Sequence, residues 1–198
     1  MGLPGIAGVD EAGRGPLAGS VVAAAVIFYP GKPIVGVMDS KQLSEKKREY
    51  WFEVIMQEAL SVGIGEASPL EIDQINILQA TFLAMRRAVD ALNAPPAQVW
   101  IDGNQIPPAL AQQYTCKAIV QGDKLVAEIS AASIVAKVTR DRQMHALAKQ
   151  YPRYQFDKHK GYPTTQHIAI LQKYGALPMI HRCSFSPVKQ VLDFAIQD

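Results

Sequence analysis

Two regimes of apolar spacing divide the chain. Short apolar and β-branched runs mark the start. Gly8-Val9-Asp10 closes the first, and Leu17 to Phe28, carrying Val21, Val22, Val26 and Ile27, runs into the turn signal Tyr29-Pro30-Gly31. The pattern predicts two strands of a meander. Ser44 then stands as an N-cap before Trp51, Phe52, Ile55, Met56, Ala59 and Leu60, whose spacing predicts a helix with one buried face. A strand over 63–67 follows. Ile77, Ala80, Thr81, Ala84 and Ala88 repeat every three or four residues, so 76–92 reads as a helix stopped by Pro95-Pro96. Val99-Trp100-Ile101-Asp102 and Lys117-Ala118-Ile119-Val120 read as strands, and 129–149 as a long helix whose small stretch, Ser130-Ala131-Ala132-Ser133, allows close packing on a sheet. Residues 151–163, rich in Tyr, Pro, Lys and Gly, read as a loop. Thr164 starts another helix, and a last one begins near Pro187. Strands followed by interleaved helices and strands predict an α/β domain with a mixed central β-sheet flanked by helices and closed by C-terminal helices.

Composition adds limits. With 198 residues and 48% hydrophobic content, the chain is long enough for a full core and short enough for one domain, so 1–198 is expected to be a single domain. No apolar run reaches the roughly 18 residues a membrane-spanning helix needs, and no secretory signal pattern opens the chain, which predicts a soluble, cytoplasmic protein. Cys116 and Cys183 are far apart, without metal-ligand spacing, and read as buried or idle thiols. The net charge of +2 hides an asymmetry. Residues 1–116 carry 8 Lys/Arg against 12 Asp/Glu, and residues 117–198 carry 12 against 6, so the C-terminal helical part is the basic one. Basic surface beside an acidic pocket suits an enzyme that grips a phosphate backbone and binds metal; an ordinary solvated surface gives the same count.

The acids are placed suggestively. Asp10 and Glu11 are neighbours, and neighbouring side chains on a regular strand point to opposite faces, so both serve one site only at a strand end. Gly13, Gly15 and Pro16 supply that break. Asp102 ends another apolar strand before Gly103-Asn104, and Asp123 follows a third strand and Gly122. Taken singly, Asp102 and Asp123 also read as turn residues beside glycine. Taken together, four carboxylates in one pocket would repel severely without cations. Hard oxygen ligands suit Mg²⁺ or Mn²⁺, and two such ions about 3.5–4 Å apart are the arrangement of phosphodiester hydrolysis.

A rival reading lies in Gly13-Arg14-Gly15-Pro16-Leu17-Ala18, which has the outline of a dinucleotide-binding turn with Asp39 beyond it. That turn must open a helix whose N-terminus meets the pyrophosphate, whereas the residues that follow here are strand-like, and two acids stand just ahead of the glycines. In a nuclease, bare backbone at Gly13 and Gly15 would approach a sugar 2′-hydroxyl, and Arg14 would meet a phosphate. His159-Lys160-Gly161-Tyr162 joins cations to an aromatic ring fit for stacking on a nucleotide, and Asp39-Ser40-Lys41 offers a further phosphate contact. Each is also an ordinary surface segment by itself. A binding module without catalysis would not need the four acids.

The segment from Gly8 to Gly19, GVDEAGRGPLAG, resembles the opening signature of the bacterial ribonuclease HII family. Asp39-Ser40-Lys41, Ile101-Asp102-Gly103-Asn104, Gly122-Asp123, Glu128 to Ser133, Ala136-Lys137, Arg140-Asp141, His159 to Thr164 and His181 to Phe185 resemble its other motifs in the same order. The resemblance implies a ribonuclease H-like fold and Asp10, Glu11, Asp102 and Asp123 as catalytic metal ligands for two Mg²⁺ or Mn²⁺ ions. It also implies Gly13, Arg14, Gly15 and Tyr162 as readers of a ribonucleotide, with Lys41 in the nucleic-acid-binding set. The implied activity is endonucleolytic hydrolysis of RNA in RNA–DNA hybrids and nicking of duplex DNA 5′ to single ribonucleotides, leaving 3′-hydroxyl and 5′-phosphate ends. The expected partners are RNA–DNA hybrids and ribonucleotide-containing duplex DNA, with no membrane, and a monomer is the default expectation.

Overall fold

Every side chain of Val21–Ile27 is buried, which requires cover on both faces of the strand. A computed structural model describes residues 5–32, 34, 36 and 43–195, and in it this strand, β2, lies inside a five-stranded sheet. It pairs antiparallel with β1 (Ile6–Ala12) and with β3 (Ser61–Ala67). Parallel strands β4 (Gln98–Asp102) and β5 (Thr115–Ile119) extend the far side of β1, giving the order β3-β2-β1-β4-β5. The mixed sheet flanked by helices is therefore as the sequence pattern predicts.

Alternation assigns the two faces. Ala7, Val9, Val21, Ala23, Ala25 and Ile27 point to helix α2 (Pro69–Asp90), while Ala24 and Val26 point to α1 (Glu45–Glu58) and to α5 (Ala127–Gln150), two helices separated in sequence by α2, α3 (Pro108–Ala111) and α4 (Gly122–Leu125). Glycines set how closely the helices approach. A Cβ on Gly8 would stand 2.2 Å from the Glu128 carbonyl carbon at the start of α5, and one on Gly63 would stand 2.0 Å from the Ala88 oxygen of α2. Backbone thus packs on backbone at both places.

Several boundaries differ from the sequence reading. β1 runs past Asp10 to Ala12 because β2 offers partners to its end, whereas the β4 ladder stops at Val9. β2 starts at Val21, since 17–20 belong to the glycine loop. α2 begins at Pro69, seven residues before the expected start, on a Ser68–Glu71 capping box; Asn76 (φ 67°) interrupts it, and its side chain caps the next turn by accepting from Leu78 N and Gln79 N. β5 lies at 115–119 rather than 117–120, leaving Val120 exposed. The expected loop 151–163 contains a 3₁₀ turn (Pro152–Tyr154) and α6 (Phe156–His159), separated by Gln155 in the left-handed region. Helices α7 (Thr165–Tyr174) and α8 (Ser186–Ala195) follow. Both cysteines are free and half-buried.

This last third has its own small core of Ala18, Met144, Tyr154, Phe156 and Ile170, into which His159, His167 and His181 are packed. Burial pushes His167 and His181 down to about 4 and lowers His159. Between pH 4 and 6.5 the unfolded chain therefore takes up protons that native His167 and His181 refuse, so these two groups stabilise the fold fully above about pH 6.5 and lose that contribution as pH falls toward 4. Each contributes a slope of up to about 1.4 kcal/mol per pH unit. Urea unfolding at pH 4.5, 5.5 and 6.5 is expected to show a slope flatter by about that amount in His181→Gln, and equal slopes would contradict the assignment. Gly8→Ala is expected to lower stability by about 3 kcal/mol, read as a lower urea midpoint, because α5 must move off β1; a wild-type midpoint would show that the close approach is not required.

Candidate active site

Asp10 and Glu11 obey strand alternation rather than escaping it. Asp10, on the same face as Gly8, is 6% exposed and lies against α5, where the Ser133 hydroxyl donates to it; Glu11 N also donates to Asp10 Oδ1 at 2.7 Å. Glu11 sits beyond the last β1–β4 pair and lines cavities on both sides of the sheet edge. The end of the parallel ladder, not the end of the strand, is what lets both acids reach one region. Asp102 ends β4 beside them. Asp123 enters from α4, after Gln121 in the left-handed conformation, and its N–H donates to Asp102 Oδ1 at 3.4 Å. Gly122 permits that approach, since a Cβ there would stand 2.7 Å from Ile129 Cδ1 and 3.4 Å from Asp102 Oδ1.

The electrostatics follow from this crowding. Burial, then the charges of Glu11 and Asp102, hold the Asp10 carboxyl well above the usual carboxylate range. Glu11 is raised by burial, against the pull of Arg14 at 3.4 Å. Among the described residues no three His, Cys, Asp or Glu side chains already converge on one point. The donor set nevertheless fits a hard divalent cation: Asp10 and Asp123 are buried, Glu11 and Asp102 half-buried, and the charges of Glu11 and Asp102 crowd Asp10.

Beside the acids runs the Gly13–Ser20 loop, held by two buried arginines that sequence reasoning did not single out as site residues. Arg140 donates to the carbonyls of Ser20, Ala18 and Lys160, and Arg182 to those of Gly13, Arg14 and Gly19, at 2.6–3.2 Å. Burial, then neighbouring Arg140, pushes Arg182 down to about 9. Gly13 (φ 95°) would place a Cβ 2.1 Å from Arg140 Nε, so the arginine excludes any side chain there. A signal for Arg140 existed: Ala132, Ala136, Arg140 and Met144 are four apart on the buried stripe of α5.

A cavity of about 370 Å³ opens between this loop, α1 and α5, lined by Glu11, Gly13, Arg14, Gly15, Arg48, Ser133, Lys137 and Tyr162. The 42%-exposed Tyr162 ring faces Gly15, where a Cβ would stand 3.6 Å from Tyr162 Cε1. A second cavity of about 200 Å³ shares Glu11 and Arg14 and adds Asp102 and Asn104. The structure thus gathers Asp10, Glu11, Asp102, Asp123, Gly13, Arg14, Gly15 and Tyr162 in one region. Lys41 lies outside the described residues. Arg48 of α1 and Lys137 of α5 join the cavity wall as well. No helix opens at the glycines, and β2 runs antiparallel to β1, which removes the dinucleotide reading.

The sequence model of the ribonuclease HII family matches residues 7–188. The ribonuclease HII of Shewanella halifaxensis is 59% identical over 186 residues, which cover 94% of this chain and 90% of that protein. That of Acinetobacter baylyi is 57% identical over 188 residues, 95% of this chain and 98% of its own length. The crystal structure of ribonuclease H2 from Pyrococcus horikoshii OT3 superimposes with a TM-score of 0.82 at 28% identity, covering 98% of this chain and 99% of that one. The family model, sequence identity over nearly the full length and a shared fold lead to one conclusion: the chain belongs to the ribonuclease HII family, metal-dependent endonucleases that hydrolyse RNA paired with DNA.

Proposed function

We propose that this enzyme, besides cutting RNA–DNA hybrids, nicks duplex DNA on the 5′ side of a single embedded ribonucleotide, leaving 3′-hydroxyl and 5′-phosphate ends. The observation that carries the reading is one cavity wall shared by the acid Glu11, the side-chain-free backbone of Gly13 and Gly15, and the exposed ring of Tyr162. Reading one ribose and breaking one phosphodiester bond are then adjacent tasks.

Asp10, Glu11, Asp102 and Asp123 would hold the metal, two Mg²⁺ or Mn²⁺ ions in this reading. When bound, the ions supply Lewis acidity, which makes a water more nucleophilic and neutralises charge on the phosphate oxygens. The chain's own residues do the rest. Gly13 and Gly15 let backbone groups reach a 2′-hydroxyl, the group that separates RNA from DNA. Arg14, held near the acids by Glu11, is placed to pair with a phosphate of the cleaved strand, and Lys41 is assigned the same kind of contact. Tyr162 stacks on the sugar–base face beside the scissile bond. Ser133 holds the Asp10 carboxylate by its hydroxyl. The reading takes residues 1–198 as one catalytic domain, monomeric and cytoplasmic; among the described residues no helix is long and apolar enough to cross a membrane.

Duplex DNA carrying one ribonucleotide, incubated with the protein and Mg²⁺ or Mn²⁺, is expected to be nicked 5′ to that ribonucleotide while an all-DNA duplex stays intact; cutting of both duplexes, or of neither, would refute the proposal. Asp10→Asn is expected to lower turnover by about 10³-fold or more. Because Asp10 is buried among like charges, the neutral isostere is also expected to raise the thermal midpoint measured in EDTA. A variant with normal metal-dependent turnover would remove Asp10 from the ligand set. Tyr162→Ala is expected to reduce kcat/KM on the single-ribonucleotide duplex about ten- to 100-fold, the equivalent of about 1–3 kcal/mol of lost stacking. An unchanged value would take Tyr162 out of the recognition site.

A further inference from the structure

Three of the four histidines are buried behind the turn that carries Tyr162, yet no step of the reaction uses them. Their hydrogen bonds fix every proton. His159 Nε2 lies 2.8 Å from the Tyr154 carbonyl, which only accepts, and His159 Nδ1 receives the Gly161 N–H at 3.1 Å. His181 Nδ1 receives the Leu177 N–H at 2.9 Å, so its proton is on Nε2, which donates to His167 Nε2 at 3.2 Å. His167 must then carry its own proton on Nδ1, where the Tyr162 carbonyl lies 3.0 Å away. Five bonds agree on one set of neutral tautomers, and an added proton on any ring would set donor against donor. The His159 and His167 rings are stacked at 4.1 Å.

The network ends on the backbone of the tyrosine placed in the cavity. Gly161 N–H is taken by His159 and Tyr162 C=O by His167, while the Gly161 carbonyl accepts from Leu17 N at 2.7 Å and the Lys160 carbonyl from Arg140. Gly161 (φ 82°) leaves no room for a side chain, since a Cβ would stand 2.8 Å from Ala18 O. The histidines therefore fix how the Lys160–Tyr162 turn lies against the glycine loop. Hydrophobic residues of the same volume would fill the core equally well without choosing that orientation.

We propose that His159, His167 and His181 are positioning residues for Tyr162, setting through a chain of neutral imidazole hydrogen bonds the distance between its ring and the Gly13–Gly15 loop; the inference rests on the reading of Tyr162 as a substrate contact. They touch no substrate themselves. Their part in the reaction is to hold one aromatic ring where a ribonucleotide would meet it.

The test compares His167→Leu, which loses the bond to Tyr162, with His167→Asn, whose amide keeps a donor near the Nδ1 position. Each is measured with Tyr162 present and in a Tyr162→Ala background, alongside amide hydrogen exchange at Gly161 and Tyr162. His167→Leu is expected to speed that exchange about tenfold or more and to lower kcat/KM on the single-ribonucleotide duplex about tenfold, but by less than about twofold where Tyr162 is already alanine. His167→Asn is expected to restore most of both. His159→Phe, which keeps the ring stack and loses the acceptor for Gly161 N–H, is expected to give the same exchange result should the leucine variant fail to fold. Unchanged exchange, an equal activity loss in both backgrounds, or no rescue by asparagine in a folded protein would overturn the proposal. If Tyr162→Ala alone is silent while exchange responds, the substrate contact has failed and the histidine hold on the turn stands.

Discussion

Like charges gathered at one edge of a sheet are the constraint around which this molecule is arranged. The charges of Glu11 and Asp102 raise the proton affinity of Asp10, that of Asp102 raises the proton affinity of Glu11, and burial of Asp10 against α5 removes the water that would otherwise screen them. The sheet order produces that crowding: β1 and β4 are parallel neighbours, so Asp10, Glu11 and Asp102 leave the ladder at the same end. Gly8 lets α5 lie close enough on β1 for Ser133 to reach Asp10, and Gly122 lets the α4 turn deliver Asp123 beside Asp102. A protein selected for stability alone would not collect these groups. A protein that binds divalent cations would, because the repulsion becomes metal affinity.

The hydrogen-bonded scaffold around the acids shows how a loop with little core of its own is held still. Seven hydrogen bonds from Arg140 and Arg182 end on backbone carbonyls, six of them in the Gly13–Ser20 segment. Buried guanidiniums are normally paired with carboxylates, but a carboxylate here would add to the charge already crowded at the sheet edge. Carbonyl oxygens satisfy the donors without that penalty. The same economy appears in the histidine group, whose members stay neutral and act by hydrogen bonding alone.

Much of this arrangement is legible in the sequence, for identifiable reasons. The strands β1, β2 and β4 carry uninterrupted apolar runs, and Ser44 and Thr164 cap their helices as their position predicts. The early start of α2 also had a signal, because Ser68, Pro69 and Glu71 form a capping box, but Asn76 breaks the period and hides the first turns. The extension of β1 past Asp10 has no local signal: it depends on β2 offering partners that β4 does not. The acids stand out in the sequence only as a group near the ends of apolar runs, since Asp102 and Asp123 singly read as turn residues, and Arg182 looks like any basic residue between two helices until its carbonyl partners come into place. The turns within 151–163 depend on left-handed Gln155 and Lys160, conformations that their residue types disfavour and the tertiary fold imposes.

If repulsion among these carboxylates is the organising constraint, divalent cations must stabilise the folded protein through them. The most direct measurement is the thermal midpoint as Mn²⁺ is added to metal-free wild type, beside an Asp10→Asn, Asp102→Asn variant and an NaCl control of matched ionic strength. The account predicts a saturable rise in wild type that sodium does not reproduce and the variant lacks. A midpoint indifferent to Mn²⁺, or equal rises in both proteins, would contradict it.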